Sequence, residues 1–301
     1  MVESTKIQHQ KVANIIIEKC LSKKNDTIRI GITGVPGVGK STFIERIGKL
    51  LTSKGNRVAV LTVDPSSNLT KGSILGDKTR MQDLVQDKNA FIRPSPSGDS
   101  LGGVARKTRE SIILLEAAGY NIIIIETVGV GQSETAVHSM VDFFLLLKLS
   151  GAGDELQGIK RGIMEMADAI AINKADGDNR NNAKQAEVAF KRAMHLFPPK
   201  DNGWMPTVTS CSALENEGLQ EVWGIIEAYV TKTKSSGHFN RKRQEQNKSW
   251  LKQHIESNLK ADFYNNPLVK AMLNTLEEKV VNGSSSPFAA AQQLLQAYKN
   301  I

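Results

Sequence analysis

The segment from Gly34 to Thr42 carries the clearest chemical pattern in the sequence, G-x-x-x-x-G-K-S. Glycines at this spacing let backbone N–H groups turn toward a phosphate, and a helix that begins there adds its positive end. Lys40 is expected to reach the β- and γ-phosphates of a nucleotide, and Ser41 to ligate Mg²⁺. The predicted nucleotide contacts of this phosphate-binding loop (P-loop) are Gly34, Val35, Pro36, Gly37, Val38, Gly39, Lys40, Ser41 and Thr42.

A second motif, Asn173-Lys-Ala-Asp176, follows another apolar run and indicates which base is bound. The Asp176 carboxylate can accept hydrogen bonds from guanine N1–H and N2–H₂, a donor pair that adenine lacks. Asn173 is expected to brace the loop, and the stem of Lys174 to lie along the base. GTP is therefore expected to be strongly preferred over ATP. The segment whose backbone can donate to guanine O6 is Ser212, Ala213 and Leu214.

Carboxylates at predicted strand ends are candidates for the metal site. Glu126 ends a run of isoleucines and can hold the magnesium shell, while Gly129 can offer its N–H to the γ-phosphate. Asp64 ends another predicted strand, at the edge where doubly wound sheets bind ligands, and Asp77 lies in a polar loop. For Asp64 and Asp77 an ordinary loop acid is the alternative interpretation. The predicted metal ligands are Ser41, Asp64, Asp77 and Glu126, and Lys40, Asp64 and Glu126 are the predicted catalytic residues.

The residue that follows the glycine of the phosphate-sensing loop predicts slow unaided hydrolysis. Ras-like GTPases place a water-orienting Gln directly after the glycine of this loop. Here that position is Val130, and the nearest glutamine is Gln132. A partner protein, or a closing segment of this chain, is therefore expected to complete the site.

The elements that must position these residues alternate between strand-like and helix-like segments. The apolar runs predict strands over residues 28–33, 57–63, 90–93, 121–126, 143–149, 169–173 and 207–210. Predicted helices between them cover residues 40–53, 101–118, 158–166, 182–196 and 219–233. Continuous apolar strands suit a sheet covered on both faces, so we predict an α/β fold with a doubly wound, mostly parallel sheet.

Helical extensions are predicted on both sides of this nucleotide-binding domain, which we place at residues 27–234. Residues 1–26 form the first, since apolar side chains recur at helical spacing over residues 6–24. The second, residues 235–301, begins at a Ser-Ser-Gly linker and contains predicted helices at 244–263, 267–281 and 288–298. It is too thin to hold its own core, so it is expected to pack on the nucleotide-binding domain or on another chain.

Composition and charge exclude several functional classes. The chain has 301 residues and a net charge of +8, with many of the excess cations between Lys232 and Lys252. Aromatic residues make up 5% and do not interleave with these cations, so we expect a solvated helix face or an acidic partner rather than a nucleic acid. Two distant cysteines and five scattered histidines suggest neither a disulfide framework nor a metal cluster. No signal peptide or membrane span is expected, so a reducing cytoplasm or an organelle matrix fits best, and a cytoplasmic location is predicted.

Longer strings of residues resemble a known family, the MeaB/ArgK/MMAA-type P-loop GTPases, over residues 28–230. The P-loop and Asn173-Lys-Ala-Asp176 are two of these strings. The others are Val63-Asp-Pro-Ser-Ser67, Gly72-Ser-Ile-Leu-Gly-Asp-Lys-Thr-Arg80, Glu126-Thr-Val-Gly-Val-Gly-Gln-Ser-Glu134 and Gly153-Asp-Glu-Leu-Gln-Gly-Ile-Lys160. One departure from the family pattern is Lys148-Leu-Ser150, where a more apolar approach, often with a proline, is usual.

The resemblance implies a G-protein chaperone for an adenosylcobalamin-dependent acyl-CoA mutase, usually methylmalonyl-CoA mutase. GTP hydrolysis, with GTP/GDP and Mg²⁺ as ligands, would then time cofactor loading and protection of the mutase. Asp64, Asp77 and Glu126 match the family's nucleotide and magnesium residues. Residues 154–160 match its extra mobile switch, which contributes to mutase-activated hydrolysis, so Asp154 and Lys160 join the predicted catalytic residues. The C-terminal arm would form a homodimer.

Two other functions remain open at this point. A metal-insertion GTPase of metalloenzyme maturation shares the fold, although it calls for a Cys-rich or His-rich site that this sequence lacks. A P-loop small-molecule kinase would need an acceptor pocket and a base for the acceptor hydroxyl. Competition between GTP and ATP distinguishes the kinase from a GTPase.

Overall fold

The computed structural model describes residues 4, 6–23, 26–64, 81–96, 101–127, 133–151 and 161–299. Four predicted site residues, Asp77, Gly129, Asp154 and Lys160, lie outside these ranges, as do Val130 and Gln132. For Asp64 only the backbone is described.

Seven strands form one sheet in which every pairing is parallel. They are β1 (Ile28–Thr33), β2 (Val58–Asp64), β3 (Ala90–Pro96), β4 (Ile122–Thr127), β5 (Phe143–Lys148), β6 (Ala169–Ile172) and β7 (Thr207–Ser210). Their order is β3-β2-β4-β1-β5-β6-β7. The predicted α/β fold is confirmed, and all seven predicted strands are present with ends shifted by a few residues.

Helices alternate with the strands and continue beyond the last one. They are α1 (Ile7–Leu21), α2 (Lys40–Ser53), α3 (Gln82–Val85), α4 (Leu101–Ala117), α5 (Ser133–His138), α6 (Arg161–Met166), α7 (Arg180–Met194), α8 (Leu219–Ser235), α9 (His238–Asn265), α10 (Pro267–Val281) and α11 (Pro287–Lys299). The short α3 and α5, and a 3₁₀ turn at Gly177–Asn179, were not predicted. In the part of the chain that the structure describes, no helix is long and apolar enough to cross a membrane.

The position of β1 determines where a ligand can bind. It lies between β4 and β5. The crossover that leaves β1 runs toward β2, and the crossover that leaves the neighbouring β5 runs toward β6, in the opposite direction across the sheet. Loops that follow such strands diverge and leave a crevice at the carboxyl edge. β1 is also inside the core, where Ile30 and Ile32 pack with Phe43 and Ile47 of α2. The loop between β1 and α2 is therefore held on a rigid base.

The contacts divide the chain into two compact units, the first ending at Gln246 and the second beginning at Asn247. This division falls inside α9, whereas the proposed boundary after residue 234 falls near the two-residue turn between α8 and α9. The expectation that this part of the chain holds no core of its own was wrong, because the second unit buries Val269, Leu276, Ala290 and Leu294 together in a small core. Asn266 caps α10 by accepting hydrogen bonds from the backbone N–H groups of Leu268 at 2.9 Å and Val269 at 3.3 Å.

Two of the basic residues near the start of α9 are partly buried and bind an internal aspartate, which corrects their interpretation as a solvated face. Asp142, just before β5, is 1% exposed and receives Arg243 Nε at 2.8 Å and Nη2 at 2.6 Å. The backbone N–H of Arg29 donates to the same carboxylate at 2.8 Å, and Lys242 Nζ donates to the Asp142 carbonyl at 2.7 Å. Since a buried carboxylate without partners is strongly destabilising, these cations are needed by the fold.

Candidate nucleotide-binding site

The P-loop follows β1 directly and fits closely between two other strand ends. Gly34, with φ of 155°, and Gly39, with φ of 91°, adopt backbone conformations that favour glycine. A Cβ on Gly34 would lie 2.6 Å from the Leu147 carbonyl oxygen, and one on Gly39 would lie 2.7 Å from Asn173 Nδ2. Side chains at these two positions would push the loop away from β5 and β6. The glycines therefore bring the phosphate-binding backbone to the carboxyl edge of the sheet.

Lys40 begins α2 and lies inside the P-loop. Its side chain is almost fully buried, at 8% exposure, and its Nζ donates to the Gly34 carbonyl at 2.7 Å and the Val35 carbonyl at 3.2 Å. These contacts hold the ammonium group within the loop that carries the glycine N–H groups. A cation held here can neutralise phosphate charge without a large rearrangement.

Oxygen donors at the start of α2 and the end of β4 could hold a magnesium ion. The Ser41 hydroxyl lies 3.4 Å from Glu126 Oε1, and Glu126 is paired in register with Ile32 on β1. Mg²⁺ prefers oxygen ligands and is commonly held by one or two protein groups together with substrate phosphates. These two side chains therefore fit such a site beside a bound nucleotide.

Asp64 ends β2, on the far side of β4 from β1. The register pairs Thr62 with Glu126 and Val63 with Thr127, so the Asp64 backbone lies at the same edge of the sheet as the Glu126 end of β4. Among the described residues there is no cluster of three or more His, Cys, Asp or Glu side chains that could hold a metal ion.

Asn173 connects the P-loop to the segment that follows β7. Its Nδ2 donates to the Val38 carbonyl at 2.8 Å, and its Oδ1 accepts from the Ala213 N–H at 3.2 Å. The side chain is 1% exposed, so both bonds are shielded from water. The amide thereby holds the loops after β1, β6 and β7 at fixed positions relative to one another.

Asp176 and Ser212 are brought together across the same edge. The Ser212 hydroxyl donates to Asp176 Oδ2 at 2.5 Å and accepts from the Glu215 N–H at 3.0 Å. Ser212 itself is fully buried, and Leu214 is exposed. The Asp176 carboxylate is therefore oriented by a fixed hydroxyl. A carboxylate held in this way can accept hydrogen bonds from a planar base with two adjacent donors.

Three further residues support the site and were not identified from the sequence. Thr127 donates to the Thr33 hydroxyl at 2.8 Å and joins the ends of β4 and β1. Cys211 lies 3.7 Å from Asn173 Oδ1, and burial raises the pKa of its thiol to about 12, so it remains a neutral donor. No local pattern identifies these contacts, although all three residues border recognised motifs.

Comparison with protein families gives one match across most of the chain. The family model described as methylmalonyl-CoA mutase-associated GTPase MeaB matches residues 1–267. A probable GTPase of Mycobacterium tuberculosis is 47% identical over 296 residues, covering 98% of this chain and 88% of that protein. The mitochondrial methylmalonic aciduria type A homolog of Mus musculus is 44% identical over 310 residues, covering 100% of this chain and 75% of that protein.

A solved structure has the same architecture over nearly the whole chain. The crystal structure of a protein described as an LAO/AO transport system kinase superposes with a TM-score of 0.77 at 38% sequence identity. The alignment covers 99% of this chain and 90% of that one. The similarity therefore includes the helical C-terminal region as well as the sheet.

Proposed function

Because the chain belongs to the MeaB family of methylmalonyl-CoA mutase-associated GTPases, we propose that it is the G-protein chaperone of an adenosylcobalamin-dependent acyl-CoA mutase. The chain is a GTPase, and the mutase that it serves is proposed to be methylmalonyl-CoA mutase. GTP hydrolysis would time cofactor loading and protection of that enzyme. The observation that carries the proposal is the family match over residues 1–267.

The proposed catalytic arrangement uses the P-loop, β2 and β4. Lys40 binds the β- and γ-phosphates from within the loop, where its Nζ already lies 2.7 Å from the Gly34 carbonyl. Ser41 and Glu126 hold Mg²⁺, with Asp64 at the neighbouring strand end as a further ligand or water-positioning acid. A metal held there would neutralise negative charge that develops on the phosphate in the transition state. Support for this assignment comes from the oxygen donor set at adjacent strand ends.

Guanine is proposed to lie between Lys174 and the segment after β7, with Asp176 accepting from N1–H and N2–H₂. Two features support this placement. Asp176 is oriented by Ser212, and Asn173 ties the base-binding segment to the Val38 carbonyl of the P-loop. A nucleotide whose base is bound at Asp176 would extend past Asn173 and place its phosphates at Lys40.

A bound mutase is expected to accelerate GTP hydrolysis. With Val130 at the water-orienting position, a missing positioning group or cation must come from elsewhere. Supplying one raises the rate by about 10³–10⁵ when the rearrangement is complete, and by less when it is partial. We propose that mutase binding places Lys160, or water positioned by Asp154, at the γ-phosphate. A GTPase assay with and without methylmalonyl-CoA mutase should show stimulation that Lys160→Ala largely removes.

The matched control is Lys184→Ala, which removes an exposed lysine of α7 and should leave the stimulated rate unchanged. Basal hydrolysis should be similar in both variants, because Lys160 is proposed to act only when the mutase is bound. Equal rates with and without every cobalamin-dependent acyl-CoA mutase tested would contradict the chaperone function while leaving the GTPase activity intact.

The second unit is proposed to form a two-fold homodimer. Leu251, Ile255 and Leu259 recur every four residues on one face of α9, and all three are exposed. The core of the second unit buries only four apolar side chains among the described residues. The stripe formed by Leu251, Ile255 and Leu259 is therefore not covered within the unit. A second copy is the commonest partner for such a face. Other exposed apolar side chains of the unit are Tyr264, Leu268, Val281, Phe288 and Leu295.

Charge introduced into the α9 stripe should dissociate this dimer. The double variant Leu251→Glu/Ile255→Glu loses about 1.5–3 kcal/mol of burial per side chain in each protomer, which predicts at least a hundredfold weaker association. Sedimentation should show a wild-type dimer and a monomeric variant that still binds GTP. Leu196→Glu, a change at a side chain 85% exposed in the first unit, is the control. Wild-type protein that sediments as a monomer at micromolar concentration would refute the homodimer.

A further inference from the structure

The 3₁₀ turn Gly177–Asn179 lies next to three loops at the carboxyl edge of the sheet. The Asn179 side chain spans two of them: its Nδ2 donates to the Lys174 carbonyl at 2.7 Å, and its Oδ1 accepts from the Ser150 hydroxyl at 2.5 Å. The next residue, Arg180, pairs with Glu215 at 2.8 Å and Glu217 at 3.0 Å. The segments after β5, β6 and β7 are thereby joined through two consecutive residues.

Lys174 needs such support because its backbone is strained. Its φ of 61° is in the left-handed region, which is unfavourable for a residue with a side chain. Conformations of this kind persist when the surrounding contacts determine them, and they are concentrated at functional sites. On the neighbouring residues, Asn173 bonds to the P-loop and the Ala175 N–H donates to the Cys211 carbonyl at 3.0 Å. The Asn179 amide bonds to the Lys174 carbonyl itself.

We propose that Asn179 is a positioning residue for guanine recognition. By holding the Lys174 carbonyl, it sets the direction in which the chain leaves the strained residue and so places the Asp176 carboxylate against the base. The Ser150 hydroxyl orients the amide, because a bond to Oδ1 turns Nδ2 toward Lys174. This inference rests on the proposed placement of guanine at Asp176.

The structure separates this side-chain function from the stability of the turn. The backbone N–H of Asn179 donates to the Asp176 carbonyl at 3.0 Å, and that bond is retained when the side chain is shortened. Asn179 is only half-buried, so alanine at this position leaves no large cavity. Asn179→Ala should therefore fold normally and lose the two side-chain bonds. Asn179→Asp keeps an acceptor for Ser150 but replaces the donor to Lys174 with a carboxylate oxygen.

The test compares the affinities of GDP and IDP, because inosine lacks the 2-amino group that Asp176 is proposed to bind. In the wild type, GDP should bind more tightly than IDP. Asn179→Ala should weaken GDP binding about three- to tenfold, the range expected for one or two net hydrogen bonds, and should weaken IDP binding less. The GDP-to-IDP affinity ratio should therefore fall. Asn179→Asp should reduce the ratio at least as much, and Ser150→Ala should reduce it by a smaller factor.

Asp178→Ala is the matched control, since Asp178 is an exposed neighbour in the same turn. It should leave the ratio unchanged, and thermal unfolding of each variant should match the wild type. A wild-type protein without preference for GDP over IDP or ADP would overturn the base placement itself. A wild-type preference that Asn179→Ala leaves intact, or equal weakening of GDP and IDP, would overturn the function assigned to Asn179 alone.

Discussion

Replacing Lys40 with alanine is expected to abolish measurable GTP hydrolysis, a loss of about a thousandfold or more. The side chain is 8% exposed, and its Nζ lies within the P-loop, 2.7 Å from the Gly34 carbonyl. No solvent cation can occupy that position with the same geometry, because the loop is packed against β5 and β6. Single-turnover hydrolysis at saturating GTP measures the loss separately from any change in binding.

Lys49→Ala provides the matched control for this prediction. Lys49 lies on the same helix, α2, but its Nζ pairs with Asp87 at 2.8 Å, away from the P-loop. Its removal should change the hydrolysis rate by less than about twofold, as expected for a partly exposed ion pair. If Lys40→Ala retained a rate within tenfold of the wild type, the catalytic assignment would have to move to another cation.

Replacing Asp176 with asparagine is expected to cost about 2–4 kcal/mol of GTP binding, because the base donors lose a charged acceptor. The same change should improve xanthosine triphosphate binding, since xanthine presents an acceptor where guanine has its 2-amino group and the asparagine amide can donate to it. Isothermal titration calorimetry with GTP and with xanthosine triphosphate measures whether the preference changes from the first nucleotide to the second. The Ser212 hydroxyl, 2.5 Å from Asp176 Oδ2, can hold either side chain in place.

Asp178→Asn, at an exposed residue of the following turn, removes the same charge and should leave both affinities unchanged. Wild-type protein that bound ATP as tightly as GTP would contradict the assignment of Asp176 to the base. It would also renew the case for a P-loop kinase, whose nucleotide site does not require the Asn173-Lys-Ala-Asp176 motif.

The parts of the molecule that could be predicted from the sequence are those with local patterns. Most of the strands are continuous apolar runs, and the side chains of Phe143–Lys148 and Ile122–Thr127 are buried in the structure. The P-loop and the Asn173-Lys-Ala-Asp176 motif are short segments that each follow a strand. Since parallel strands place their following loops at one edge, knowing the strands was enough to expect these motifs together.

What could not be predicted depends on contacts between distant residues or on very short elements. Arg243 is 101 residues from Asp142, and its chain neighbours gave it the pattern of a solvated basic helix. Ser150 and Asn179 are 29 residues apart, and neither belongs to a recognised motif. The helices Gln82–Val85 and Ser133–His138, of 4 and 6 residues, are too short to show an apolar repeat.

The central position of β1 also has a consequence for synthesis of the chain on the ribosome. β1 is completed at residue 33, but its neighbours are residues 122–127 and 143–148. At about 5–20 residues per second, roughly 5–20 seconds of translation separate β1 from its second neighbour. The Leu147 carbonyl, against which Gly34 packs, is made only at the end of that interval. β1 has two open edges until β4 is made and one open edge until β5 is made, and the P-loop is unfinished throughout. GTP therefore cannot stabilise the nascent chain, and the strand is available to holdase chaperones.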